Sequence, residues 1–196
     1  MAKILFINPV VREEDVPRHI PYGIALLASI AMKKGHMVQV YDANAWRLGD
    51  TALKDVCMAD KWDVIAIGGL TTTYGYIKKA VKIARTVSPK SFIVAGGGFI
   101  TSMPREMMEW LPMIDVAAIG ESFVTFPEIL EKIDCGDLDF SKTLGVIWRD
   151  KDGTPILNET RPIINNLDTI PYPAWDLFPL EEVYFKNSSA LYSEDA

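Results

Sequence analysis

The chain has 196 residues, 49% of them hydrophobic and 23% charged, which is typical of a globular protein and not of a disordered one. With 20 Lys and Arg against 26 Asp and Glu, its formal charge of −6 argues against a nucleic-acid binder, and no apolar run reaches the roughly 18 residues of a membrane span. Cys57 and Cys135 lie far apart, which excludes a cysteine-built metal site, favours a reducing cytoplasm and indicates two buried free thiols.

Short β-branched runs alternate with helical periods along the first two thirds of the chain. The strands are predicted at residues 3–8, 37–42, 63–67, 92–95 and 115–119, and the helices at 22–34, 51–59, 73–87, 104–110 and 126–133. Because the strands are continuous apolar runs, both faces of their sheet should be covered. The sequence therefore predicts an α/β fold with a doubly wound, five-stranded parallel sheet, most simply in the flavodoxin-like order.

The rest of the chain has a different pattern. Residues 144–149 and 155–158 flank the turn Asp150-Lys151-Asp152-Gly153 and predict a β-hairpin. Prolines and aromatic residues then follow one another, which favours an extended segment lying over a surface. We therefore divide the chain into an α/β domain (1–136), a hairpin extension (137–160) and a linker (161–196).

Three loops that follow predicted strands carry glycines. They are Gly68-Gly69-Leu70-Thr71-Thr72-Thr73, Gly96-Gly97-Gly98 and Gly120-Glu121-Ser122. Glycines let a ligand approach the backbone, and threonines at a helix start offer hydroxyls beside free N–H groups. For any one loop, a simple turn with Thr73 as helix cap is an equally good interpretation. Since ligands of open α/β sheets bind at the carboxyl ends of the strands, three such loops together favour a binding site.

Familiar catalytic and nucleotide motifs are absent. The sequence has no P-loop, no dinucleotide fingerprint after the first strand and no nucleophile elbow. Of its two histidines, His36 stands at the turn into the second strand and is interpreted as a surface residue. The chain is therefore expected to hold a ligand and not to carry out a reaction by itself.

Several segments are specific as an ordered set. They are Pro21-Tyr22-Gly23-Ile24, Gly35-His36, Thr71-Thr72-Thr73, Gly96-Gly97-Gly98, Gly120-Glu121 and Pro171-Tyr172-Pro173-Ala174-Trp175-Asp176. From about Lys3 to Leu180 the chain resembles the N-terminal cobalamin-binding domain of cobalamin-dependent radical SAM proteins, a group that includes magnesium-protoporphyrin monomethyl ester cyclase and many methyltransferases. The resemblance implies that cobalamin lies on the carboxyl edge of the sheet with its nucleotide tail beside the strands. It implies cofactor contacts from Pro9, Tyr22, Gly23, Leu70, Thr71, Thr72, Gly97, Gly98, Phe99, Gly120 and Glu121.

The chain departs from the related families at three points. The loop that carries D-x-H-x-x-G in classical cobalamin proteins reads Arg18-His19-Ile20-Pro21-Tyr22-Gly23, so no cobalt ligand is assigned and His19 is only a weak candidate. Gly68 stands where related domains often carry Ser. The C-x-x-x-C-x-x-C motif that follows the linker in the family is absent, which implies that the iron–sulfur cluster and S-adenosylmethionine belong to a radical SAM partner domain, in cis or in trans.

The leading interpretation is thus a cytoplasmic cobalamin-binding module of a radical SAM enzyme, of methyl-transfer or ring-closing type, without catalysis of its own. One alternative is a flavodoxin-like small-ligand or receiver-type signalling domain without corrinoid. Asn8-Pro9 after the first strand and Gly68-Gly69 after the third disfavour a receiver, which needs acidic residues there. Another alternative is an interaction domain whose proline-aromatic tail docks a partner protein.

Overall fold

A computed structural model describes residues 1–187, and a single mixed sheet forms its centre. The strands are β1 (Lys3–Asn8), β2 (Met37–Asp42), β3 (Val64–Gly68), β4 (Phe92–Gly96), β5 (Val116–Ala118), β6 (Val146–Arg149) and β7 (Pro155–Leu157). Their order in the sheet is β2-β1-β3-β4-β5-β6-β7. The order reverses direction at β1, where the carboxyl ends of β1 and β3 diverge into loops on opposite faces.

The first five strands are parallel and confirm the predicted doubly wound α/β arrangement. The predicted count of five strands is too low for the sheet as a whole. The predicted hairpin, β6 and β7, is antiparallel, and β6 also pairs antiparallel with β5, so the sheet has seven strands. The hairpin can be recognised in the sequence because its turn is a local signal. Its pairing with β5 joins residues about 30 positions apart, and no local pattern predicts it.

Seven helices surround this sheet in the described residues. They are α1 (Tyr22–Lys33), α2 (Ala43–Trp46), α3 (Asp50–Met58), α4 (Tyr74–Val87), α5 (Gly98–Ser102), α6 (Pro104–Trp110) and α7 (Thr125–Cys135). The short helices α2 and α5 were not predicted, because four or five residues are too few to show a helical period. No helix within residues 1–187 combines the length and the apolarity that crossing a membrane requires.

Each face of the sheet has its own apolar core. On the first face, α1 and α7 pack against alternate strand residues such as Ile4 and Val64. On the second face, α3, α4, α5 and α6 pack against the intervening residues, such as Leu5 and Ile65. Because successive side chains of a strand point to opposite faces, both sets have to be apolar. This is the physical reason for the continuous apolar runs in the sequence.

The loops after β3 and β4 contact each other through their backbones. The Gly69 amide donates to the Gly96 carbonyl at 3.3 Å, and the Phe99 amide donates to the Gly69 carbonyl at 3.1 Å. Gly97 has a φ of +89°, and a Cβ at this position would lie 2.8 Å from the Gly69 carbonyl oxygen. Gly97 is therefore required by the packing of the two loops, independently of any ligand.

The linker is extended and returns to the domain after β7. Near its start, the Arg161 guanidinium pairs with Glu128 in α7. Further on, the Ala174 amide donates to the Ala25 carbonyl in α1 at 3.0 Å. A single turn of π-helix, Leu180–Tyr184, then buries Tyr184 almost completely. In the described residues the linker thus contacts α7, α1 and, through Tyr184, the carboxyl ends of β1 and β2.

Two predictions about single residues are wrong. Cys135 is exposed at the last residue of α7, whereas Cys57 is buried as predicted and its burial raises the thiol pKa to about 11. His36 is buried and not on the surface, and its Nδ1 accepts a hydrogen bond from the Ala2 amide at 3.1 Å. The turn before β2 folds over the start of β1, a contact between residues 34 positions apart that no local pattern reveals.

The buried His36 makes stability depend on pH. Burial lowers its pKa from the ordinary value of 6.5, although Asp134, 3.8 Å from Nδ1, acts in the opposite direction. The unfolded chain then binds a proton more readily than the folded chain, so the free energy of unfolding should fall as the pH drops below about 6.5. His36→Asn keeps an acceptor for the Ala2 amide without a titrating group. Urea unfolding at about pH 5.5 and about pH 7.5 should show a smaller difference for this variant.

The control for this prediction is His19→Asn, which removes the other histidine of the chain from an exposed loop. This variant should keep the pH dependence of the wild-type protein. An equal pH dependence in His36→Asn and the wild type would show that the buried imidazole is not its source.

The contact between the β3 and β4 loops gives a second prediction. Gly97→Ala should lower the free energy of unfolding by at least about 1–2 kcal/mol, because the backbone has a positive φ at this position and the added Cβ would clash with the Gly69 backbone. The matched variant is Gly98→Ala, whose Cβ would make an ordinary 3.5 Å contact with Leu70 Cδ2. Chemical denaturation should show little change for Gly98→Ala, and equal losses in both variants would contradict the explanation.

Candidate functional site

A cleft of about 1000 Å³ opens at the carboxyl ends of the parallel strands. Its walls are the first two turns of α1, the start of α7 and the loops that follow β1, β3, β4 and β5. From this rim the cleft continues down the first face of the sheet, where it reaches Phe6, Ala66, Val94 and Ala118. The cleft therefore has two parts, an open rim above the strands and a narrow slot beside them.

The slot exists because side chains on the first face become smaller toward the carboxyl end of the central strands. The series are Val64, Ala66 and Gly68 in β3, Phe92, Val94 and Gly96 in β4, and Val116, Ala118 and Gly120 in and after β5. The strands remain in register, with Ala66 opposite Val94 and Gly68 opposite Gly96. β3 and β4 thus reach glycine at the same level, beside the small Ala118 of β5, which leaves a channel between the sheet and α1.

Gly96 shows that this channel is open. A Cβ built on Gly96 would have the Ala118 carbonyl oxygen as its nearest neighbour, at 4.0 Å. The missing side chain is therefore not replaced by another group of the protein. Protein interiors are normally close-packed, so an unfilled channel of this kind is typical of a ligand-binding site.

The loop after β3 supplies polar groups to the rim. The Thr73 hydroxyl donates to the Leu70 carbonyl at 2.7 Å and is used in the local turn. The Thr72 hydroxyl, in contrast, makes no hydrogen bond within residues 1–187. A turn of 3₁₀ helix at Thr71–Thr73 runs directly into α4, with the Thr73 amide donating to the Leu70 carbonyl and the Tyr74 amide to the Thr71 carbonyl. Within residues 1–187, the amides left without a partner at this helix start are those of Thr71 and Thr72. Thr72 and these amides are available to an oxygen of a ligand.

The loop after β5 forms the opposite side of the rim. The Gly120 amide donates to Thr101 Oγ1 at 3.0 Å, and Gly120 itself has a φ of +74°. Glu121 is exposed, while Ser122 is buried and its hydroxyl donates to the Gly120 carbonyl at 3.3 Å. This loop is held by its own hydrogen bonds and presents backbone to the cleft.

The cleft wall carries few charges. Arg12 contributes a cation and Glu121 an anion, and the wall is otherwise apolar or made of neutral polar groups, with His19 at its edge. Within residues 1–187 there is no cluster of three or more His, Cys, Asp or Glu side chains that could hold a metal ion. The site therefore suits a large ligand that is recognised mainly by shape and neutral hydrogen bonds.

A buried polar cluster lies where β1 and β2 end. The Asp42 carboxylate accepts hydrogen bonds from Asn8 Nδ2 at 2.7 Å, from the Ala45 amide at 3.0 Å and from the Tyr184 hydroxyl at 2.8 Å. Burial raises the pKa of Asp42, although these hydrogen bonds oppose the shift. Burial likewise raises the pKa of Tyr184. The cluster joins the linker to the edge of the cleft, since Asn8 also lines it.

Most of the site residues predicted from the sequence come together in this cleft. Those that line it are Pro9, Tyr22, Gly23, Leu70, Thr72, Gly97, Gly98, Gly120 and Glu121. Two predicted residues do not line it. The Thr71 side chain is exposed beside the cleft, and the Phe99 side chain is fully buried in the core of the second face. Their assignment as cofactor contacts is untested and remains a prediction.

The sequence analysis missed the residues that form the slot and the polar cluster. Ala66 and Ala118 were not singled out, and Gly96 was noted only as part of a glycine-bearing loop, although their signal is present in the sequence as a stepwise loss of side-chain size at every second strand residue. No local signal points to Tyr184, because its partner Asp42 lies 142 positions away.

Comparison with known proteins gives a family and several relatives. The B12 binding domain family matches residues 9–130. An uncharacterized methyltransferase of Pyrococcus horikoshii is 30% identical over 163 residues, which cover 83% of this chain and 35% of the relative. The cytidylyl-2-hydroxyethylphosphonate methyltransferase of Streptomyces wedmorensis is 24% identical, with 93% of this chain and 41% of the relative covered. The chain thus spans little more than a third of the length of these relatives.

Two solved structures share the fold. TsrM of Kitasatospora setae, a radical S-adenosylmethionine methyltransferase with cobalamin and a [4Fe-4S] cluster bound, has a TM-score of 0.70 at 17% identity and covers 88% of this chain and 31% of its own. OxsB is a cobalamin-dependent S-adenosylmethionine radical enzyme whose structure has aqua-cobalamin and S-adenosylmethionine bound. Its TM-score is 0.73 at 17% identity, and the match covers 90% of this chain and 24% of the OxsB chain.

These findings bear out the resemblance seen in the sequence and do not favour a receiver-type or flavodoxin-like small-ligand domain. The matched residues include the loops after β1, β3, β4 and β5, which are the loops that form the cleft. The chain belongs to the B12-binding domain family.

Proposed function

We propose that this chain is the cobalamin-binding module of a larger, cytoplasmic, cobalamin-dependent radical SAM enzyme that performs methyl transfer or ring-closing chemistry. The observation that carries the proposal is the slot beside β3, β4 and β5, where Gly68, Gly96 and Ala118 lie side by side and leave the first face of the sheet uncovered. Two features of the comparisons support the larger enzyme. The solved neighbours are radical SAM enzymes, and the chain spans only 35% and 41% of its curated relatives.

The cleft fits cobalamin in shape and in chemistry. The open rim has room for a flat macrocycle, and the narrow slot continues from it along the sheet as the nucleotide tail of cobalamin requires. An added Cβ at Gly96 would enter this slot, and a side chain at Gly23 would enter the cleft from α1. Ala66 and Ala118 form the slot floor, so the tail would lie against small apolar groups.

The residues of the rim would orient the macrocycle. The Thr72 hydroxyl and the amides of Thr71 and Thr72 would be donors for its amide oxygens, and Leu70, which is 56% exposed, would offer it an apolar surface. Tyr22 stands on the α1 side, fixed by its ring contact with Trp175 at 5.8 Å. When bound, cobalamin supplies a cobalt centre that accepts and delivers a methyl group, while the protein sets position and access.

We assign no protein ligand to the cobalt. His19 lines the cleft but is exposed on a loop whose sequence does not match D-x-H-x-x-G. The iron–sulfur cluster and S-adenosylmethionine are assigned to a radical SAM domain outside this chain. In this proposal residues 1–136 bind the cofactor, residues 137–160 extend the sheet and residues 161–196 lead toward the radical SAM domain.

Cobalamin binding in the cleft can be tested with two matched glycines. Gly23 and Gly75 are each the second residue of a helix, follow a tyrosine, and have no atom within 4 Å of an added Cβ. Only Gly23 lines the cleft. Wild-type protein incubated with hydroxocobalamin and desalted should keep a corrinoid spectrum. Gly23→Leu should weaken cobalamin binding at least about 10-fold, because the new side chain occupies the volume of the ligand. A 10-fold change in Kd corresponds to about 1.4 kcal/mol.

Gly75→Leu is the control and should bind like the wild type. Both substitutions replace glycine in a helix by a better helix former, so both variants should be as stable as the wild type or slightly more stable. Equal cobalamin binding by Gly23→Leu and Gly75→Leu would place the cofactor elsewhere. A colourless, folded wild-type protein would remove the proposed function.

The radical SAM partner can be tested by metal analysis. Protein captured anaerobically from its own cells with an antibody against this chain should contain cobalt and about four iron atoms per cobalt, because a [4Fe–4S] cluster accompanies the partner domain. The same chain produced alone and loaded with cobalamin should contain cobalt only. Cobalt without iron in the native material would contradict a radical SAM partner.

A further inference from the structure

We propose that Asn8 is a cofactor-contacting residue and that Tyr184 of the linker holds its amide in the binding orientation, so that cofactor binding and docking of the linker are coupled. This inference rests on the proposed function, since it assumes that a corrinoid occupies the cleft. It adds a contact residue, a positioning residue and a means by which the cofactor site senses the linker.

The first step is the position of Asn8. It is the last residue of β1 and stands opposite Asp42, the last residue of β2, in the parallel ladder. Its side chain points to the first face, like those of Ile4 and Phe6, and it lines the cleft. Asn8 thus stands between the cleft on one side and the buried cluster around Asp42 on the other.

The second step is the orientation of the Asn8 amide. Its Nδ2 donates to Asp42 Oδ1 at 2.7 Å and to the Tyr184 hydroxyl at 3.2 Å, so both amide hydrogens are used on the β2 side. The Tyr184 hydroxyl accepts from Asn8 because its own hydrogen goes to the Asp42 carboxylate. A carboxylate cannot donate a hydrogen bond, so a flipped amide would place its oxygen against an acceptor. The cluster therefore fixes which end of the amide faces away from it.

The third step is the free acceptor. Asn8 Oδ1 accepts no hydrogen bond from any of residues 1–187. Among these residues, the fully buried side-chain polar atom without a partner is Tyr41 Oη, so Asn8 Oδ1 retains some exposed surface. It is therefore reachable from the cleft, although the residue as a whole is only 5% exposed. An acceptor in this position suits an amide N–H or a hydroxyl of the ligand. A corrinoid carries several primary amides and a ribose hydroxyl, so its chemistry matches.

The fourth step is the connection to the linker. Tyr184 is 1% exposed, and its hydroxyl contacts Asp42, Asn8 and, at 3.5 Å, Asn44 Nδ2. If the linker leaves the domain, Asp42 loses a donor and Asn8 loses one of the two acceptors that fix its amide. A site whose acceptor is held in place binds a donor more tightly than one whose amide is free to turn. Binding of the cofactor must then favour the docked linker by the same factor.

Replacement of the tyrosine hydroxyl tests the coupling. Tyr184→Phe keeps the buried ring and removes only the hydroxyl, and it should raise the Kd for hydroxocobalamin, measured by equilibrium dialysis, about 5- to 10-fold. The matched control is Tyr172→Phe in the same linker, whose side chain is 94% exposed. Tyr172→Phe should bind like the wild type. If Tyr184→Phe lowers stability but leaves the Kd unchanged, the hydroxyl is merely structural and the inference is overturned.

A double-mutant cycle identifies Asn8 as the intermediate. Asn8→Ala should weaken cobalamin binding by itself, and Tyr184→Phe should cause no further loss when Asn8 is already alanine. Additive effects of the two substitutions would mean that Tyr184 acts by another route, such as the contact of Trp175 with Tyr22, and would overturn the assignment of Asn8.

Hydrogen exchange of the wild-type protein measures the same coupling from the opposite direction and does not depend on a variant that folds. Cobalamin should slow amide exchange in residues 179–187, and this protection should be lost in Tyr184→Phe and kept in Tyr172→Phe. No protection in a wild-type protein that binds cobalamin would overturn the coupling. A wild-type protein that binds no cobalamin would instead remove the proposed function, so the two failures are distinguishable.

Discussion

The structure depends on one constraint of a parallel sheet, namely that both of its faces must be filled. On the second face the filling is complete, because Phe99 and the helices behind it pack against isoleucines of the central strands. On the first face the strand residues become smaller and end in glycine at the carboxyl end. The helices α1 and α7 pack against the larger residues earlier in the same strands, such as Ile4 and Val64. The slot follows from this difference between the faces, because no other group of the protein fills the volume that a side chain at Gly96 would take.

Much of the fold was predictable because the signals are local. Continuous apolar runs, helical periods and a turn at Asp150-Lys151-Asp152-Gly153 yield the five parallel strands, most helices and the hairpin. What was not predictable depends on contacts distant in sequence. The pairing of β6 with β5 and the burial of His36 under the start of β1 are of this kind, and a surface position was the natural but wrong expectation for a histidine in a turn.

The candidate site shows the same division. Glycines and threonines after strands mark the rim, because a ligand at the carboxyl edge needs short side chains and hydrogen-bond donors where the loops begin. The direction of a side chain, in contrast, is not visible in such a local pattern. Phe99 follows three glycines, yet α5 turns its ring into the opposite core, while Asn8 directly after an apolar run looks like a strand end and is the residue that joins the cleft to the linker.

The two edges of the sheet are unequal. β2 is a regular strand of six residues, whereas β7 has three and begins with Pro155, which has no N–H to donate. A strand that is short and headed by proline is a poor template for another chain. The hairpin therefore shields β5 and also terminates hydrogen-bonded growth on that side, a safeguard against edge-to-edge aggregation of the newly made polypeptide.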